Sequence, residues 1–162
     1  MNSVNLLVEG GMAYWPELVA SGPLAGTTSS GKAELTWKCM AIGQVFNSLC
    51  MCEFIGAFLG LQDQVDMLEA ATDEEWSLEE LIDCGWRIWY LKRLLLNRYG
   101  SNRNDDVLPA RILTPTQEGA NAGSVPDMQL MLAEFYELAH LDQEGRPLPE
   151  VLERYGLDQG AG

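Results

Sequence analysis

Basic residues are scarce in this chain. Ten Lys and Arg stand against 24 Asp and Glu in 162 residues, a formal net charge of −14 at pH 7. Nucleic-acid binders concentrate Lys and Arg to displace counterions from phosphates. The balance here runs the other way, so no nucleic-acid partner is expected. Long apolar runs are missing too. The most hydrophobic stretch, Leu49–Leu61, is too short to span a bilayer and is interrupted by Glu53, so no membrane partner is expected either. Met1-Asn-Ser-Val-Asn5 carries no basic residue ahead of its short apolar run, which gives no sign of an export leader and leads to a cytoplasmic expectation.

Cysteine and histidine are sparse. Four cysteines, Cys39, Cys50, Cys52 and Cys84, are too few for a disulfide scaffold in a chain of this length. In a reducing compartment such thiols are core packers, metal ligands or redox centres. Cys50-Met-Cys52 is the one compact pair, and no second pair completes a tetrahedral zinc set. His140 is the single histidine and precedes a polar turn, so a capping or surface role is expected for it rather than a Ser–His–Asp or Cys–His unit. Asn102–Asp106 has the Asx residues of a calcium loop without its later Gly and Glu. No catalytic residue is expected in this chain.

What is present is helical patterning. With 47% hydrophobic and 21% charged residues, the chain has enough apolar surface for a folded core. Residues 1–30 break any period with Pro16, Pro23 and a run of Gly, Thr and Ser, and read as a connector. From Lys32, the residues Leu35, Met40, Ile42, Val45, Phe46 and Leu49 suit a largely buried helix that ends around Asn47–Cys52, with another short apolar helix starting at Glu53. Thr72-Asp-Glu-Glu75 and Ser77-Leu-Glu-Glu80 each have the spacing of a capping box. The second opens the strongest helix, whose apolar face is Leu78, Leu81, Ile82, Gly85, Ile88, Trp89, Leu91 and Leu95, with Gly100 as its left-handed stop. Ser101–Pro126 reads as a long ordered loop with a docking or binding task. Asp127 caps a further helix, and Pro149–Tyr155 forms a last one closed by Gly156. Period-two alternation is essentially absent. The expected fold is all-α, a multihelical orthogonal bundle with the long loop before the last two helices.

The C-terminal half carries a resemblance. Trp86–Gly100, with its Asn97-Arg-Tyr-Gly100 turn, Asp105-Asp-Val-Leu-Pro-Ala-Arg111, Pro126–Tyr136, Leu141–Pro147 and Leu152–Leu157 together resemble the closing domain of the tungsten-containing aldehyde ferredoxin oxidoreductase family. The likeness runs in order from about Gly31 to Leu157. Gly31-Lys-Ala-Glu-Leu35 is similar to the family's lead-in helix, and Asn47-Ser-Leu-Cys-Met-Cys52 aligns with its D-x-x-G-L-C motif. Asn47 thus stands where the family has Asp, and Cys50 where it has Gly. The family's upstream histidine has no counterpart before Cys52.

The resemblance implies a helical C-terminal domain over residues 31–157, a connector over 1–30 and a flexible tail over 158–162. It implies that Cys52 is one thiolate of a [4Fe–4S] cluster and that Asn47 and Met51 adjoin a tungsten (or molybdenum) bis-pterin, both cofactors belonging to the complete enzyme and none expected on the isolated chain. Three further cluster ligands would come from an earlier domain, since a cubane takes four. The implied partners are the N-terminal and middle domains of the same enzyme and a ferredoxin-like electron carrier. The implied reaction is oxidation of an aldehyde to a carboxylate, with the chain a fragment, a truncated product or a subunit and inactive alone. A non-catalytic helical interaction module that keeps the family architecture is the alternative.

Overall fold

In the computed structural model, residues 28–52, 59–119 and 122–158 are described. Most of the expected connector, the helix expected from Glu53 and most of the expected tail fall outside them. Among the described residues there are α-helices and no strand, as expected for an all-α chain: α1 Lys32–Ser48, α2 Leu61–Thr72, α3 Leu78–Arg98, α4 Met128–Leu138 and α5 Pro149–Arg154. A bridge joins Leu141 to Pro147. None of the described helices is long and apolar enough to cross a membrane.

Each helix has a physical start and stop. Ser77 Oγ accepts from the Glu80 N–H while the Glu80 carboxylate accepts from the Ser77 N–H, the reciprocal box expected there. Asp127 accepts from the Leu130 N–H, and Pro149 occupies the first turn of α5. The other expected box is overturned. Thr72 closes α2 rather than opening a helix: its hydroxyl donates to the Leu68 carbonyl, and Asp73 beyond it takes a left-handed φ of 58° with its N–H on the Glu69 carbonyl. The α2 start is instead Gly60, whose N–H donates to the Asp63 carboxylate at 2.7 Å.

The described residues fall into two compact units, Lys38–Trp89 and, separately, residues up to Trp37 with those from Tyr90 onward. In the first unit Val45, Val65 and Leu81 are buried together, with Leu49, Leu68, Trp76 and Leu78 packed around them. Gly85 of α3 lies directly on the α1 backbone at Ala41, so the two helices meet without an intervening side chain. In the second unit the core is aromatic. Trp37 meets Tyr90 and Phe135 edge-on at 5.5 and 5.9 Å between centroids. Tyr90 packs on Tyr155 and donates its hydroxyl to the Ala139 carbonyl at 3.0 Å. The start of α1 is held within this unit, where Ser30 Oγ and the Gly31 N–H both donate to the Glu134 carboxylate.

Burial along α1 runs from Ala33 to Phe46 on most sides, with Trp37 and Cys39 included, which is the buried helix expected. The α3 face differs from expectation in its last turns. Leu81, Ile82 and Tyr90 are buried, but Leu91 and Leu95 are each 53% exposed. The inward line passes instead through Tyr90 and the part-buried Arg93 and Asn97.

Candidate functional site

The Asn47–Cys52 segment is the C-terminus of a helix. The Cys50 N–H donates to the Asn47 carbonyl at 3.3 Å and the Met51 N–H to the Phe46 carbonyl at 2.9 Å. These two bonds with a left-handed residue between them form a Schellman cap. The left-handed residue is Cys50, with φ of 54°. Among the described residues, three other helix ends repeat the same pair of bonds around Gly100, His140 and Gly156. Gly100 and Gly156 do this as expected, and His140 fills the capping role expected for it with a φ of 46°. Cys50 is therefore a side-chain-bearing residue at a backbone position that favours glycine.

This cap sets the exposure of the expected site residues. Asn47, Cys50 and Cys52 are exposed, and Met51 is half-buried. Among the described residues, no side-chain hydrogen bond involves Asn47, and neither Cys50 nor Cys52 is in a disulfide. Cys52 follows a helix C-terminus, so α1 offers its sulfur the carbonyl end of the helix rather than free N–H groups. The helix start expected at this point lies on residues 53–58, outside the described set. The other thiols differ in kind. Burial pushes the Cys39 thiol up to about 11, and Cys84 is also raised, mainly by burial. Both are thiol-form packers, while Cys50 and Cys52 are the pair presented to solvent.

No group of three or more His, Cys, Asp or Glu among the described residues could hold a metal ion. An exposed, unbonded thiol just past the α1 cap fits a single thiolate ligand to a cluster whose other ligands come from elsewhere. The free amide of Asn47 on the same cap can both donate and accept at the edge of a bound heterocycle.

A second constellation was not read from the sequence. Arg93 donates from Nη1 and Nη2 to the two Asp106 oxygens at 2.9 and 2.6 Å and from Nε to the Gly145 carbonyl at 2.7 Å. The Tyr136 hydroxyl also donates to Asp106, and the Arg103 guanidinium lies over the Tyr136 ring at 4.4 Å. Burial alone would push the Asp106 carboxyl up, but the bonds from Arg93 and Tyr136 outweigh it and hold the carboxyl below its usual range. Tyr136 moves oppositely, pushed up to about 12 by burial and then by its bond to Asp106. The group clasps the Asp105–Arg111 loop and the Asp142–Gly145 turn onto α3. Gly145 belongs to it by necessity: at φ of +78°, an added Cβ would stand 2.2 Å from Arg93 Nη2. The loop and turn were each legible as motifs. Their joining by Arg93 was not, because helix-end arginines more often stay solvated.

The described elements, helices with no strand among them, define an all-α domain. The chain belongs to the aldehyde ferredoxin oxidoreductase family: the family profile described as "Aldehyde ferredoxin oxidoreductase, domains 2 & 3" matches residues 8–157. It is 34% identical over 117 residues to the tungsten-containing aldehyde ferredoxin oxidoreductase of Pyrococcus horikoshii, covering 71% of this chain and 19% of that protein. It is 36% identical over 111 residues to the enzyme of the same name from Pyrococcus abyssi, covering 67% and 18%. A more distant relative is the aliphatic sulfonate oxidoreductase, WOR-like subunit, of Pyrococcus furiosus, 33% identical over 96 residues, or 54% of this chain and 15% of that protein. The chain spans about a fifth of the length of the first two relatives.

Proposed function

We propose that this chain is the C-terminal helical domain of a tungsten-pterin aldehyde ferredoxin oxidoreductase, closing the cofactor cavity from one side and giving Cys52 as one [4Fe–4S] thiolate. The exposed Cys50–Cys52 cap at the end of α1, in a chain of this family, carries the reading. Cys52 would hold the cluster, and Asn47 and Met51 would border the pterin. Bound together, tungsten-pterin and cluster supply two-electron oxidation of an aldehyde to a carboxylate and one-electron passage to a ferredoxin-like carrier. The chain's own contribution is positional. The Schellman bonds from Cys50 and Met51 to the helix carbonyls set where the chain leaves α1 ahead of Cys52. Molybdenum could replace tungsten in the same role, and the reducing cytoplasm suits free thiols.

The test is iron content. In the complete enzyme Cys52→Ser should lower cluster iron and change its visible and paramagnetic signatures, while Cys39→Ser leaves both unchanged. Wild-type iron content in Cys52→Ser would sink the assignment. The isolated chain should show no aldehyde-dependent dye reduction. One observation favours the second reading, a non-catalytic interaction module: Cys50 adds a side chain at the left-handed position where close backbone approach to a cofactor would be easiest with glycine. A complete assembly free of pterin and iron would decide for the module.

A further inference from the structure

We infer that the groove between the last turns of α3 and α5 is the seat for an apolar, acid-flanked segment of the remaining domains of the enzyme. The inference rests on the function proposed above and names the surface through which it is met.

The groove has a volume of about 710 Å³ and is floored by Leu91, Leu94, Leu95, Leu152, Leu157 and Pro147. Leu91 and Leu95 stand one helical turn apart, each 53% exposed, and both line the groove. Single exposed leucines are ordinary, whereas a contiguous set around a concavity marks a contact surface. The amphipathic pattern of α3 shows the same thing from the sequence side. Its apolar stripe is wider than the part this chain covers, and the excess lies at Leu91 and Leu95.

Charge selects the occupant. Arg98 and Arg146 edge the groove, and among the described residues neither has a carboxylate within salt-bridge distance. Two unpaired guanidiniums beside an apolar floor, in a chain of net charge −14, complement carboxylates on a partner. A second copy of this chain would bring a like net charge of −14, which repels at long range. In the tungsten-containing relatives about four-fifths of the polypeptide lies outside the matched region, so those proteins have chain that could cover such a groove.

Solvent access at position 95 provides the test. Leu95→Cys is made in the full chain, and its maleimide labelling is followed by mass spectrometry in the chain alone and in the complete enzyme purified through a tag on this chain. Labelling is expected to be fast in the chain alone and slowed about 100-fold or more in the enzyme, as for a desolvated interface centre. Leu91→Glu with Leu95→Glu should leave the isolated chain's circular dichroism unchanged, since both side chains already meet water, yet release the chain from the enzyme. Arg98→Glu with Arg146→Glu should weaken the association, and added salt should shrink the difference from wild type.

Equal labelling in both settings overturns the proposal while leaving the function reading intact, because the complex then forms through another surface. Protection in the chain alone that rises with its concentration assigns the groove to a second copy and also overturns it.

Discussion

Gly85 of α3 lies so close to Ala41 of α1 that a Cβ added at Gly85 would stand 2.3 Å from the Ala41 carbonyl oxygen. Ala41 itself is 0% exposed. The atom in the way is backbone, which cannot swing aside as a side chain can, so any substituent at Gly85 must push two helices apart. Elsewhere in a helix Gly→Ala gains up to about 1 kcal/mol from propensity. Here overpacking should outweigh that gain. Gly85→Ala is expected to destabilise by about 2 kcal/mol net, read as a lower urea midpoint at unchanged m-value. A stabilised variant would mean that the two helices are not in backbone contact.

Arg93 and Asp106 give a pH-dependent prediction. Their side chains are 10% and 25% exposed, so the pair is largely but not wholly desolvated. Asp106→Asn is expected to cost about 2 kcal/mol at neutral pH, less than the ~3–5 kcal/mol for breaking a fully buried pair, because part of Asp106 remains in water. The sign follows from the carboxyl being held below its usual range. The unfolded chain takes up the proton first as acid is added, so the stabilisation is present above about pH 4 and is lost as pH falls through the folded-state value. The wild-type advantage over Asp106→Asn should therefore shrink in acid. At the other end, Tyr136 is pushed up to about 12, so its contribution is complete below about pH 10, the unfolded value, and declines as pH rises toward the folded one. Denaturation curves of wild type, Asp106→Asn and Tyr136→Phe across pH separate the two. A wild-type advantage that is constant from pH 7 to 2 would contradict the clasp.

Cys50 gives a stabilising substitution. A side chain in the left-handed region costs about 1–2 kcal/mol, and glycine returns about 0.5–1 kcal/mol of that as entropy lost on folding. Cys50→Gly in the isolated chain should thus gain about 0.5–1 kcal/mol, a rise in Tm of roughly 2–4 °C for each kcal/mol in a chain of this size. Cys52→Ser, on exposed backbone outside the cap, should leave Tm unchanged. A loss of stability in Cys50→Gly would show that the Cys50 side chain makes a compensating contact.

Helix ends were the most legible part of this fold. Ser77, Asp127 and Pro149 at starts, and Gly100 and Gly156 at stops, act through bonds to residues within a turn or so of themselves, and such bonds need only local spacing. Thr72 shows the limit of that reasoning. A hydroxyl three residues before a Glu has the spacing of a cap wherever it falls, and only the preceding turns of α2 decide that Thr72 ends a helix. Leu91 and Leu95 mark a second limit: periodicity counts apolar residues on a face without saying whether the same chain covers them.

By itself the amino-acid order determined the helical class and most of the local caps, because each depends on side-chain type and short-range spacing. Tertiary structure alone decided that Arg93 reaches Asp106 and Gly145, that Gly85 touches Ala41, and that one face of α3 is left open. Those outcomes depend on which distant segments share space, and the energy of an ion pair, a backbone contact or a buried leucine is set by the surroundings that packing creates.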